Sequence, residues 1–144
     1  MRKFAKCKGY EDAIIPVRAT ATSAGYDFYT LNDVAVPAGG MAKVVTGIKA
    51  YMEKDEVLLL YVRSSVGIKH GIGLANGTGV IDSDYCDNPD NEGNIIIALR
   101  NYSDVGHHFP AGSKIAQGVF IKYLTVDEDA TTAERVGGIG STGK

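Results

Sequence analysis

Only two cysteines, Cys7 and Cys86, occur among the 144 residues. Neither their separation nor their neighbours suit a paired-cysteine zinc site, so neither a disulfide framework nor a zinc knuckle is expected to organise the fold. The chain also lacks any apolar run of membrane-spanning length. Its first residues, Met1-Arg2-Lys3-Phe4-Ala5-Lys6, carry charge with no apolar stretch behind it, and the expectation is a soluble, cytoplasmic protein with no membrane contact. An excess of one charge is missing as well: Lys+Arg number 15 against 17 Asp+Glu, a formal net of −2. Without a broad cationic surface, direct nucleic-acid binding is not expected and any phosphate recognition must be local. Helical periodicity is scarce, and there is no internal repeat or low-complexity tract.

What remains is one domain's worth of material, 44% hydrophobic, enough for a single core. Residues 42–51, 57–62, 95–99 and 115–121 are short, β-branched or aromatic runs bounded by turn residues, which predicts strands in an all-β domain. Pro37-Ala38-Gly39-Gly40 and Pro110-Ala111-Gly112-Ser113 read as matching turns that each feed a strand, as in sandwiches and jelly rolls. One short helical turn is expected at Ser65-Val66-Gly67-Ile68-Lys69-His70, with free N–H groups at its start that favour an anion. Residues 1–126 form the β domain. From 127 to 144 the chain turns polar and glycine-rich and reads as a flexible arm.

The densest chemistry lies in Leu74-Ala75-Asn76-Gly77-Thr78-Gly79-Val80-Ile81-Asp82-Ser83-Asp84-Tyr85. Its glycines allow a tight hairpin and close backbone approach to a flat base. Asp82 and Asp84, two apart, are expected to share one face of an extended strand, with Tyr85 on the other. Four further segments follow a recognisable order around it: Ser23-Ala24-Gly25-Tyr26-Asp27-Phe28, Arg63-Ser64-Ser65, Gly112-Ser113-Lys114-Ile115-Ala116-Gln117-Gly118-Val119, and Arg135-Val136-Gly137-Gly138-Ile139-Gly140-Ser141-Thr142-Gly143. The histidines His70, His107 and His108 have no carboxylate or thiol at ligand spacing and are assigned to the surface.

Together the five segments resemble the ordered motifs of the trimeric dUTPases, over nearly the whole chain. The resemblance implies a homotrimer of distorted jelly-roll subunits that hydrolyses dUTP to dUMP and pyrophosphate, keeping uracil out of DNA and supplying dUMP for dTMP synthesis. It implies Asp82 as the base polarising a water that strikes the α-phosphorus. Uracil would lie at Asn76 and Gly79, and Tyr85 would pack under the deoxyribose. Arg63, Ser64, Ser65 and Gln117 would cradle phosphates, and Asp27 would bear on Mg²⁺ indirectly, through its water shell. The arm, with Arg135, Ile139, Gly140, Ser141 and Thr142, would close over a site on a neighbouring subunit, making the active sites composite.

Three departures stand out. Ile139 replaces the family's usual stacking aromatic, and Lys114 replaces an arginine common in relatives. The polar stretch Cys86-Asp87-Asn88-Pro89-Asp90-Asn91-Glu92 is inserted before Gly93, where it reads as a protruding loop able to contact a protein partner. The related dCTP deaminases activate water with a glutamate and use an arginine after Arg-Ser-Ser; the aligned positions here are Ala98 and Ile68, which removes deaminase acid–base chemistry. A non-catalytic nucleotide-binding module on the same scaffold is the reading from another class.

Overall fold

Among the described residues the alternating and continuous apolar runs form twelve strands, and every pairing between them is antiparallel. In chain order these are β1 (Lys3–Lys6), β2 (Val17–Arg18), β3 (Tyr26–Tyr29), β4 (Val34–Val36), β5 (Met41–Val45), β6 (Ile48–Tyr51), β7 (Glu56–Val62), β8 (Ile72–Leu74), β9 (Gly79–Asp82), β10 (Ile96–Asn101), β11 (His107–Phe109) and β12 (Lys114–Lys122). The structure is a computed structural model and describes residues 1–143.

A five-stranded sheet in the order β2-β3-β12-β7-β9 faces a three-stranded sheet, β5-β10-β8, and the pairs β1-β6 and β11-β4 complete a distorted jelly roll. Strand β7 carries the longest apolar run, and its Leu58 and Leu60 are fully buried beside Phe28, Ile97, Leu99 and Ile115. Inside the sandwich, Gly118 on β12 leaves room that its neighbours use. A Cβ there would lie 2.9 Å from both Leu58 Cδ1 and Phe28 Cε2, closer than packed carbons approach.

The expected strand over 42–51 is broken in two. Gly47 takes a positive φ of 70° with Tyr10 packed against its α-carbon. Its N–H donates to Asn94 Oδ1 at 2.9 Å, and Thr46 Oγ1 donates to the Ile95 carbonyl at 2.7 Å. The predicted helical turn is present as one π-type turn, Ser65–Lys69. Both cysteines are free thiols. His108 is exposed as expected, whereas His70 and His107 stack on each other with ring centroids 3.8 Å apart and are half-buried.

Candidate active site

The segment Ala75-Asn76-Gly77-Thr78 is a crossing between sheets and not the expected hairpin: β8 pairs with β10 through Leu74 and Leu99, whereas β9 pairs with β7 through Gly79 and Leu60. The crossing opens a cleft of about 520 Å³ between the two sheets. Strand β9 lies at the edge of its sheet, so backbone groups on its free side have no strand partner and remain available to a ligand. Glycine at 79 lets β9 lie close against the Leu60 side chain of β7, since a Cβ there would meet Leu60 Cβ at 2.8 Å.

Eight of the residues singled out in the sequence line this one cleft: Asn76, Gly79, Asp82, Tyr85, Arg135, Ile139, Gly140 and Thr142. Asp82 and Asp84 are not on one strand face. Strand β9 ends at Asp82 and Ser83–Tyr85 form a 3-10 turn, because Tyr85 must rotate inward to bury its ring. The two carboxylates nevertheless converge on one cation: Arg135 Nη2 donates to Asp82 Oδ2 at 2.6 Å and Arg135 Nε to Asp84 Oδ1 at 2.7 Å. That guanidinium also lies 5.6 Å from the centroid of the Tyr85 ring.

Tyr85 is fixed at its far end. Its hydroxyl donates to the Asn94 carbonyl at 2.9 Å and accepts from Asn91 Nδ2 at 2.8 Å, while burial pushes its pKa up. The ring is therefore a rigid, uncharged wall of the cleft. Lys43 and Ala98 line the cleft as well. Ala98 is the position where a deaminase would carry its glutamate, and Ile68, the other deaminase position, is 85% exposed. Lys43 had no motif to mark it, because its side chain reaches the cleft only through the β5–β10 pairing.

Arg63, Ser64, Ser65, Gln117 and Asp27 belong to a second cluster. Asp27 on β3 is buried, with Arg63 Nε 3.3 Å from Oδ1 and Lys114 Nζ 3.2 Å from Oδ2. Gln117 stands opposite Asp27 in the β3–β12 pairing and opposite Tyr61 in the β7–β12 pairing; its Oε1 would collide with any Cβ at Gly25. The anion-binding expectation at the helical turn is reduced: the N–H groups of Val66 and Gly67 both donate to the Arg63 carbonyl, at 3.0 and 3.1 Å, leaving only those of Ser64 and Ser65 at its start. Asp82 pairs with Val57 at one end of β7 and Arg63 follows the other end. Six residues of strand separate them, roughly 20 Å. Ser141 does not line the cleft and is held within the arm, its Oγ donating to the Gly137 carbonyl at 2.9 Å.

The polar insertion does not protrude. Asp87 and Glu92 adopt positive φ of 60° and 63° and fold the loop back onto Lys49, whose Nζ donates to Asp87 Oδ1 at 2.5 Å and to Glu92 Oε1 at 2.8 Å. Burial opposes the charge on Lys49, but these two bonds outweigh it and raise its pKa, and they hold both carboxyls below their ordinary values. Asn88 ties the inside of the loop, donating to the Tyr85 carbonyl at 2.8 Å and to Asn91 Oδ1 at 2.7 Å. Burial raises the Cys86 thiol to about 11, so it stays protonated at neutral pH and is not a nucleophile.

For a divalent cation the donor set is informative. Among the described residues no three His, Cys, Asp or Glu side chains cluster to hold one. Asp27 Oδ2 is buried and makes no aligned hydrogen bond, although the Lys114 ammonium lies 3.2 Å away; this leaves it able to accept from a metal-bound water, while the flanking Arg63 and Lys114 argue against direct ligation. This fits Mg²⁺, which keeps several waters and takes substrate phosphates as ligands.

Comparison with known proteins places this geometry. The family model described as dUTPase matches residues 11–143. A deoxyuridine 5'-triphosphate nucleotidohydrolase of Lactococcus lactis is 45% identical over 131 residues, covering 90% of this chain and 87% of that one. One from Wolinella succinogenes is 34% identical, covering 99% and 95%. The crystal structure of the dUTPase from Streptococcus mutans superposes with a TM-score of 0.79 at 40% identity, over 87% of this chain and 98% of that one. A mutant dUTPase from phage phi11 of S. aureus, described with a structural Mg(II) ion, shares the fold at a TM-score of 0.75 and 22% identity, over 92% and 97%.

Proposed function

The chain belongs to the dUTPase family, and from that premise we propose that it hydrolyses dUTP to dUMP and pyrophosphate, with Asp82 as the base and each active site assembled from more than one subunit of a homotrimer. The observation that carries this reading is the position of Asp82, at the end of an edge strand and on the rim of a cleft floored by Gly79 and walled by Tyr85. Uracil enters between the sheets and meets the unpaired backbone of β9 and the Asn76 amide. Buried donors and acceptors that fit uracil are left unpaired by cytosine, which discriminates by orders of magnitude. The anchored Tyr85 ring lies under the sugar and leaves no room for a 2′-hydroxyl.

Asp82 takes the proton of a water that attacks the α-phosphorus, the bond to the bridging oxygen breaks, and pyrophosphate leaves. The phosphates displace the carboxylates from Arg135, freeing Asp82 and giving the guanidinium its anion. Ser141, Thr142 and the backbone of Ile139 and Gly140 close over them. Asp27 would reach the water shell of a Mg²⁺ ion bound to the phosphates, and such an ion would neutralise part of their charge.

The roughly 20 Å along β7 between Asp82 and Arg63 supports a composite site. That is farther than one triphosphate spans, so the cradle of Arg63, Ser64, Ser65 and Gln117 serves a nucleotide held in a neighbour's cleft. The arm is able to cross as well. Among the described residues, the hydrogen bonds of 124–134 are confined to that segment, and Leu124 and Val126 are 97% and 75% exposed. In the single chain the arm lies on its own cleft; in the trimer it closes a neighbouring one.

Product analysis tests the reading. With Mg²⁺, the pure protein is expected to convert dUTP, and not dCTP, dTTP or UTP, to the monophosphate and pyrophosphate. Asp82→Asn is expected to bind dUTP while losing about 10²–10⁴-fold in turnover. Wild-type turnover in that variant would remove Asp82 from the mechanism.

A further inference from the structure

The inserted loop has a relation to the arm that neither motif explains by itself. Gly138 N–H donates to Asp90 Oδ2 at 3.0 Å, and Gly137 and Gly138 are both buried, although their neighbours Val136 and Ile139 are 74% and 73% exposed. The fit excludes side chains. A Cβ on Gly137 would stand 2.6 Å from Asp90 Oδ2, and one on Gly138 would stand 3.1 Å from Asn91 Nδ2.

The receiving side is built with equal care for position. Asn88 Oδ1 accepts from the N–H groups of Asp90 and Asn91, at 3.0 and 3.2 Å. Asn91 Oδ1 accepts from Gly93 N–H at 3.0 Å, and its amide donates to the Tyr85 hydroxyl. Lys49 holds the loop's two ends through Asp87 and Glu92.

We propose that the loop 86–93 is the latch for the C-terminal arm: Asp90 is a positioning residue that captures the Gly137-Gly138 backbone and, through Asn91, joins the closed arm to the Tyr85 wall of the cleft. The latch belongs to the subunit that supplies Asp82 and Tyr85, so it serves that cleft whichever subunit's arm enters. The proposal rests on the reading of the arm as a lid over dUTP, and its test separates the two.

The experiment compares wild type, Asp90→Ala and Asp90→Asn. Asparagine keeps a carbonyl that accepts the Gly138 N–H; alanine keeps nothing. The first readout uses no nucleotide: trypsin cleavage after Arg135, followed as loss of residues 136–144 by intact mass. Cleavage is expected to accelerate about tenfold in Asp90→Ala, the equivalent of about 1.4 kcal/mol of docking, and to return towards wild type in Asp90→Asn. Gly137→Ala, which strikes the same contact from the arm, is expected to accelerate cleavage similarly and to add little to Asp90→Ala in the double variant.

The second readout is kinetic. KM for dUTP is expected to rise about tenfold in Asp90→Ala with kcat within about threefold, because saturating nucleotide supplies the arm's other contacts. Equal cleavage rates in wild type and Asp90→Ala, with equal melting temperatures, would overturn the latch. Faster cleavage with unchanged dUTP kinetics would uphold the latch as a docking site and instead remove the lid reading.

Discussion

Two crippled variants that restore each other would be the most direct sign that base and phosphate cradle come from different subunits. Asp82→Asn removes the proposed base at one end of β7, and Arg63→Gln removes the cradle's cation beyond the other end, roughly 20 Å away. Alone, the first is expected to lose about 10²–10⁴-fold in turnover. The second loses charge-assisted bonds to phosphate of about 1.5–3 kcal/mol, or about 10–100-fold. Arg63→Gln should still fold, since Lys114 remains 3.2 Å from the buried Asp27 carboxylate.

Co-expressed in equal amounts, the two chains assemble at random into trimers. A site that draws Asp82 from one subunit and Arg63 from another then has both intact about a quarter of the time. The mixture should recover about a quarter of wild-type dUTP hydrolysis, measured as pyrophosphate release. If both residues act from one chain, no mixed trimer contains an intact site, and the mixture reads the mean of the two variants, at most about a twentieth of wild type. That lower result would refute the composite reading.

Removing everything after Thr132 takes Arg135 away from Asp82 and Asp84; kcat/KM for dUTP should fall at least about tenfold, with trimer size by sedimentation unchanged. Gly118→Ala forces a methyl against Leu58 and Phe28 and should cost about 1–3 kcal/mol, lowering the melting temperature by roughly 3–10 °C. The Lys49 cluster sets an acid limit. Asp87 and Glu92 are held below their ordinary values of 3.8 and 4.5, so the stability they contribute is full above about pH 4.5 and is lost as pH falls through their folded pKa values. Melting curves between pH 7 and 3 should therefore fall more steeply for wild type than for Lys49→Met; parallel curves would show that the cluster does not couple to folding.

The strands were legible because burial on one or both faces writes itself into local composition, as in the Val57–Val62 run that becomes β7. The motif order likewise singled out Asp82, Asn76 and Gly79 together, and one cleft gathers them; the arm was expected on a neighbouring subunit, whereas in the single chain its Arg135, Ile139, Gly140 and Thr142 line this same cleft. What local pattern could not carry was the route. Asp82 and Asp84 meet Arg135 across a 3-10 turn and not along a strand, and Asn76 lies on a crossing between sheets because the partners of β8 and β9 are far away in sequence. The insertion was misread for the same reason. Its polar residues suggested solvent, but their partners, Lys49, Tyr51 and the arm, are 36 to 48 positions distant. The spacing of Asn88 and Asn91 was the one local hint, since such side chains close turns on their own backbone.

Because the cleft lies between two sheets, its walls are recruited from Lys43, Leu60, Asn76, Asp82, Ile96 and Thr142, positions scattered along most of the chain. No single hairpin or pair of neighbouring strands contains even a rudimentary version of it. Contacts of such long sequence separation close against a large loop entropy, so the cleft has no local precursor and is complete only in the finished sandwich. A chain lacking either sheet would lack one of the cleft's two walls.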